Sequence, residues 1–339
     1  MYQYLKGMLA DVVPDVELRY KAGLAVQINQ LKQAKNAVIL GHNYMEPVLY
    51  HSVADIKGDS LELSRKAATT DKDVIVFCGV KFMAETAKIL NPSKTVLLPS
   101  DAGCSLAASI TADDVRALKA RFPGVPVVTY VNTYADVKAE SDICCTSGNA
   151  VAVVQSLKDQ TIIFLPDEYL AGNVAKETGK HIIYPTRSLA KPAEEGLLDY
   201  QMIGWRGRCE VHEKFTVEDI TNIRAQFPDV LILAHPECSP EVVAASDYSG
   251  STTAMIRYVE QTHAPQYLIL TECSMGDNIA AANPDKNMLR MCSVRCPHMN
   301  QITMENTLAS LQYDRIKIEV PEEIRVRAVR AVERMIAIG

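Results

Sequence analysis

The chain repeats itself, and this constrains its fold more than any single motif. Cys104 is followed by SLAASITADDVRALKARFPGVPVVTYVN and Cys209 by EVHEKFTVEDITNIRAQFPDVLILAHPE; the two stretches align without a gap at an offset of 105 residues. Phe122-Pro123 matches Phe227-Pro228, and Thr111 matches Thr216. Cys296 opens a shorter third copy, PHMNQITMENTLASL. In every copy a threonine lies seven residues past the cysteine (Thr111, Thr216, Thr303) and an acid nine past it (Asp113, Glu218, Glu305). A hydroxyl followed by acids, just ahead of an apolar helical period, marks a helix start. The hydroxyl accepts from a free N–H, and the carboxylate favours the positive end of the helix. Each cysteine is therefore expected in a loop leading into a helix.

The repeat continues through the strands. Residues 37–44 (AVILGHNY), 127–132 (VVTYVN) and 231–237 (LILAHPE) are apolar runs that end in polar residues. A second run follows in each copy, at 73–79, 161–167 and 267–272. A third leads to the cysteine, at 94–104, 181–209 and, less regularly, 286–296. Helical patterns such as SLELSRKAATT (60–70) and NAVAVVQSLK (149–158) fill the gaps. Short, wholly apolar strands alternating with helices predict parallel sheets covered on both faces. The expected fold is α/β: three pseudo-threefold-related αβα domains around a central site, at 1–108, 109–212 and 213–339. The third includes a C-terminal tail that the pattern does not dock.

Composition narrows the function. At 339 residues the chain is too long for one ordinary core. With 48% hydrophobic and 22% charged residues it should be globular. No apolar run approaches the ~18 residues of a membrane span. Met1–Ala10 lacks a basic segment followed by an apolar one, so no signal peptide is expected. The net charge of −6, with both signs mixed along the chain, argues against nucleic acid as a partner. A cytoplasmic protein without membrane or nucleic-acid partners is the expectation. Nine cysteines without an export signal then point toward metal or catalysis.

Ligands of parallel sheets gather at the carboxyl ends of strands. Aligning the first strands pairs His42 with Tyr130 and His235, and Tyr44 with Asn132 and Glu237. Positions i and i+2 share a face while the strand lasts, so each domain offers two polar groups to one pocket. The matched cysteines Cys104, Cys209 and Cys296 face the same centre. Three thiolates suit zinc or an iron–sulfur cluster. Zinc would want a fourth ligand, His212 or His298. A cubane would keep one iron open to act as a Lewis acid. Cys78 reads as core and Cys144-Cys145 as packing. Cys238 and Cys273 are candidates to line the pocket, and Cys292 rivals Cys296. Gly250-Ser251-Thr252-Thr253 and Thr146-Ser147-Gly148-Asn149 each precede a helical pattern, as anion sites or as ordinary caps.

The strings GHNY (41–44), GDSLELSR (58–65), VKFMAETAKILNP (80–92), DAGCSLA (101–107), YVNT (130–133), CTSGNA (145–150), LPDEYLAGNVA (165–175), GRCEVHE (207–213), HPEC (235–238), GSTT (250–253) and CPHMNQIT (296–303) resemble the quinolinate synthase family of NAD biosynthesis over about residues 25–312. The resemblance implies condensation of iminoaspartate with dihydroxyacetone phosphate to quinolinate, phosphate and water. It implies three αβα domains around a [4Fe–4S] cluster held by Cys104, Cys209 and Cys296. Carried over by motif, His42, Ser60, Tyr130, Asn132, Ser147, His235, Glu237 and Thr252 contact substrate. Ser251 of the GSTT stretch joins them, and Glu237, Tyr44 and His42 form the catalytic set. An aspartate oxidase is the implied source of iminoaspartate. Some members carry a CxxCxxC run at the third ligand; here it is Cys292-x3-Cys296, so no disulfide role carries over. Two other readings stay open: a hydro-lyase with the same cluster acting on another small acid, and a non-catalytic iron–sulfur sensor.

Overall fold

The computed structural model describes residues 1–158, 161–185, 200–291 and 293–339. Three separate sheets form, and every strand pairing within them is parallel. The first runs Ile56–Gly58, Ala37–His42, Val74–Cys78, Thr95–Leu97 in spatial order. The second runs Ile143–Cys145, Val127–Tyr130, Ile162–Leu165, Met202–Gly204, Ile182–Ile183. The third runs Tyr248–Ser249, Val230–Ala234, Gln266–Leu270, Met288–Leu289. Helices flank each sheet, which is the α/β arrangement the repeat predicts. Ala37–His42 and Val127–Tyr130 are buried along their whole length, which is why they lack polar alternation.

Each sheet also holds an edge strand that the apolar pattern does not reveal: Ile56–Gly58, Ile143–Cys145 and Tyr248–Ser249, each only two or three residues long. An aspartate fixes each one. Asp55 accepts from the Ile39 N–H and donates its own N–H to the Ile39 carbonyl. Asp142 does the same with Val127, and Asp247 with Ile232. One side chain per repeat thus closes a two-bond clasp between edge and centre, and a carboxylate strengthens such a bond.

The helix starts follow the threonines. Thr111 and Thr216 each form a reciprocal capping box with Asp114 and Asp219. Thr303 accepts from the Asn306 N–H without the reciprocal bond. The helix it caps, Met304–Tyr313, lies against helix Asp15–Ala34 and strand Val74–Cys78 of the first sheet. Residues 316–318 then run antiparallel to 96–98, with Leu98 and Ile316 exchanging bonds of 2.9 and 3.0 Å and Ile318 donating to Val96 at 2.9 Å. That covers an otherwise open edge. The tail ends in helix Glu322–Ile336, packed on Ala135–Ala139, Ile143–Cys145 and Lys81–Leu90. Among the described residues, no helix is long and apolar enough to cross a membrane.

Candidate active site

The carboxyl ends of the central strands converge on one cavity of about 690 Å³, counted together with its opening to solvent. His42, Tyr44, Tyr130, Asn132, His235 and Glu237 all line it, together with Ser60, Ser147, Thr252, Cys104, Cys209 and Cys296. Ser251 does not. Its Oγ caps helix Thr252–Gln261 by accepting from the Ala254 N–H at 3.3 Å, and it donates to Asp59 at 2.8 Å. Cys238 and Cys273, expected as lining, are buried outside the cavity wall; the Cys238 thiol donates to the Leu270 carbonyl at 3.5 Å. Cys292 falls outside the described residues.

Two strand-end turns have the same construction. The Tyr44 N–H donates to His42 Nδ1 at 3.2 Å, and the Met45 N–H to the His42 carbonyl at 3.0 Å. The Glu237 N–H donates to His235 Nδ1 at 3.3 Å, and the Cys238 N–H to the His235 carbonyl at 2.9 Å. A ring nitrogen that accepts carries no hydrogen, so each imidazole holds its proton on Nε2. Burial lowers His42 to about 4 and His235 to about 3. Both are therefore neutral donors near neutral pH. His235 Nε2 sits 3.2 Å from Ser147 Oγ.

Glu237 is the hub. The Tyr130 hydroxyl donates to its Oε1, Asn132 Nδ2 reaches the same oxygen at 3.3 Å, and His212 Nδ1 meets Oε2 at 2.8 Å. Burial alone would raise this carboxyl. The His212 ring, His235 and the Tyr130 hydroxyl outweigh it and hold Glu237 ionised, well below the usual carboxylate range. From His212 the contacts continue: Nε2 to Thr271 Oγ1 at 2.8 Å, and Thr271 Oγ1 to the Tyr44 hydroxyl at 2.5 Å. Burial and the Glu237 charge push the Tyr44 phenol well above its ordinary range, so it keeps its proton. A continuous line Tyr44–Thr271–His212–Glu237 results. Sequence reasoning missed Thr271 altogether and saw His212 only as a zinc ligand. Thr271 follows the strand Gln266–Leu270, where the matching positions are Gly79 and Pro166, so the repeat offers no polar counterpart.

The three cysteines share a local geometry. Each precedes a helical turn: Ser105–Ala108, His212–Lys214 and Met299–Gln301. In each case the backbone N–H groups two and three residues on face the sulfur: Leu106 and Ala107, Val211 and His212, His298 and Met299. Burial pushes the Cys104 thiol up to about 12 and Cys296 to about 11. Buried thiols of this kind ionise when a cation displaces their protons. N–H groups aimed at ligand sulfurs are what an iron–sulfur cluster uses, so the donor set fits one. Zinc has a different set: a sulfur, a ring nitrogen and a carboxylate oxygen of Cys209, His212 and Glu237 lie within 4.8 Å of one another. Those atoms of His212 and Glu237 already bond each other. His298 is occupied as well, its Nε2 2.9 Å from Glu210. Among the described residues, no lysine or arginine lines the cavity. An anionic ligand would be met by neutral N–H and O–H donors and by whatever metal the cysteines hold, beside the carboxyl groups of Asp59, Glu210 and Glu237.

Comparison with known proteins identifies a family. The family described as Quinolinate synthetase A protein matches residues 26–337. The chain is 52% identical over 336 residues to quinolinate synthase 2 of Mesorhizobium japonicum, covering 99% of this chain and 97% of the relative. It is 51% identical over 335 residues to a quinolinate synthase of Agrobacterium fabrum, covering 98% and 91%. A quinolinate synthase of Xylella fastidiosa is 53% identical over 312 residues, covering 92% and 86%.

Proposed function

This chain belongs to the quinolinate synthetase A family, and from that premise we propose that its central cavity condenses iminoaspartate with dihydroxyacetone phosphate to quinolinate, phosphate and water. One observation carries the reading furthest. Strand ends from three sheets bring neutral donors, one buried carboxylate and three N–H-facing cysteines to a single cavity without a lysine or arginine in its described wall. A [4Fe–4S] cluster on Cys104, Cys209 and Cys296 would supply an open iron that binds and polarises a substrate oxygen.

The side chains then take definite roles. The Nε2–H groups of His42 and His235, with Ser60, Ser147 and Thr252, hold the carboxylates and the phosphate, whose charges otherwise repel each other. Ser60 and Thr252 each open a helix, so backbone N–H groups add to this anion binding. The Tyr44 phenol gives its proton to the departing hydroxyl. Thr271 and His212 resupply it in turn, so His212 gives up the proton and the positive charge that Glu237 stabilised on it beforehand. Glu237 thus acts in proton transfer through His212 rather than as a solitary base. Ser251 acts indirectly, by fixing Asp59 and the helix start at Thr252. The cytoplasm is the fitting location, with an aspartate oxidase supplying the short-lived imine.

The test is anaerobic purification followed by iron, sulfide and zinc analysis, then addition of dihydroxyacetone phosphate and freshly made iminoaspartate. Quinolinate should form, with iron and sulfide in equal amounts. Zinc in place of iron would overturn the cluster. Intact cluster with dehydration of an unrelated hydroxy acid, and no quinolinate, would favour the hydro-lyase.

A further inference from the structure

One contact recurs around the cavity at the same place in each unit. Asn278 Nδ2 donates to the carbonyls of Asn43 at 3.2 Å and Met45 at 2.9 Å, bracketing Tyr44. Asn173 Nδ2 donates to the carbonyls of Pro236 at 2.9 Å and Cys238 at 3.0 Å, bracketing Glu237. Lys138 Nζ donates to the Val131 carbonyl at 2.9 Å and to that of Thr133, bracketing Asn132. Tyr44, Asn132 and Glu237 are the three residues that the repeat places two past each strand-end position.

The donors themselves follow the repeat in two cases. Asn173 and Asn278 stand six residues past the acids that cap their helices, Asp167 and Glu272. Each reaches out of its own unit: Asn278 follows a strand of the third sheet and holds a turn of the first; Asn173 follows a strand of the second and holds a turn of the third. In the first unit the matching place is Thr86, whose hydroxyl is committed to the Phe82 carbonyl at 2.8 Å. The second unit compensates from within. Lys138 comes from the short helix Ala135–Ala139 just after its own strand and is fully buried. Glu85 from the first unit accepts from the Ala135 N–H at 2.9 Å, steadying that helix.

A peptide unit is planar, so the carbonyl before a residue fixes one of the two planes that meet at its Cα. The N–H after the residue fixes the other: Met45 donates to the His42 carbonyl, Cys238 to the His235 carbonyl and Thr133 to the Val131 carbonyl. The second bridged carbonyl pins the plane that follows. The direction of its side chain follows. We propose that Asn278, Asn173 and Lys138 are positioning residues for the reaction, each aiming one of the three matched side chains by bridging the carbonyls on its two sides. This rests on the reading of the cavity as the site of condensation. Tyr44, Asn132 and Glu237 belong to one hydrogen-bonded network, so a shift in one bracket detunes all of it, and a displacement of ~1 Å at a reacting group can cost roughly 100-fold.

Asn278→Leu in the anaerobic holoenzyme tests this, with Asn278→Ser as a second variant that leaves room for water. The rate at saturation should fall roughly 10- to 100-fold, with KM for either substrate within about threefold. On a Tyr44→Phe background Asn278→Leu should cause no further loss, because its effect runs through the Tyr44 hydroxyl. On a Ser147→Ala background the loss should multiply in full. Amide hydrogen exchange should quicken at Tyr44 and Met45 and not elsewhere. Full activity in Asn278→Leu, an undiminished loss on the Tyr44→Phe background, or faster exchange along the whole chain each overturns the proposal. So does failure of both variants to fold as holoenzyme. If the unaltered holoenzyme makes no quinolinate, it is the functional reading that fails. The exchange result alone then decides: quickening confined to Tyr44 and Met45 keeps the bracket, and no change removes it.

Discussion

The turn at His42–Met45 and the turn at His235–Cys238 share their main-chain bonds, their histidine tautomer and their bracketing asparagine. They differ in the residue they present. One offers a phenol that burial keeps protonated; the other offers a carboxylate that its donors keep ionised. A repeated frame thus sets where a group stands, and one side chain sets what it does. The second unit departs from the frame. It has Tyr130 where the others have histidine, and a lysine where they have an asparagine, and both of its strand-end groups serve Glu237. The scaffold is close to threefold and the chemistry at its centre is not.

The largest expected effect tests the threefold part. Changing Cys104, Cys209 or Cys296 to Ser should each abolish the visible absorption of the anaerobic protein, whereas Cys78→Ser and Cys144→Ser should leave it. Survival of the absorption in any one of the first three would remove that cysteine from the ligand set. The next effects test the asymmetric part. Glu237→Gln keeps the size and removes the charge; the rate should drop at least ~100-fold with the absorption intact. A nearly full rate would take Glu237 out of the mechanism. Thr271→Val removes the hydroxyl that bridges Tyr44 and His212, leaving only their direct 3.4 Å contact, while keeping the shape. The expected loss is about tenfold, the worth of one hydrogen bond of about 1.4 kcal/mol. An unchanged rate would mean the phenol is resupplied by another route.

The smallest effect concerns stability. His42 is held at about 4 when folded, against 6.5 for the free side chain. Above pH 6.5 both states are neutral and nothing is lost. Between there and about 4 the unfolded chain takes up a proton that the folded one refuses, so stability falls as pH falls. Thermal unfolding of the anaerobic holoprotein should show this decline, and His42→Gln should make it shallower. An identical slope in the two proteins would place the titration elsewhere.

What the sequence reveals about this molecule depends on how far a feature must reach. The cysteines, the capping threonines and the strand-end pairs recur at fixed offsets, so one chain read against itself exposes them. The edge strands are too short to show a period, and Asp55, Asp142 and Asp247 become meaningful only once those strands are seen. Thr271 and His212 could not be joined in advance, because the bonds between them and to Glu237 and Tyr44 link separate units. The bracket from Asn278 to Met45 spans 233 positions. Ser251 shows a different case: its stretch reads either as an anion site or as an ordinary cap, and the hydroxyl goes to Asp59 and to its own helix start while the neighbouring Thr252 lines the cavity.

Helix Met304–Tyr313 lies on the first sheet, where the Cys78 and Thr307 side chains meet across 229 positions of chain. On the ribosome, the strand Val74–Cys78 emerges long before the helix that covers it. At ~5–20 residues per second the wait is roughly ten to fifty seconds. During that interval the first unit exposes an apolar face and an open sheet edge, the features that recruit chaperones. The proposed cluster would bring a second delay, because Cys104 would have to wait for Cys296 to be made. Covering of the first sheet is therefore a late event, and a pause or truncation near residue 300 would strand an uncovered sheet and, on the proposed reading, an unfinished ligand set.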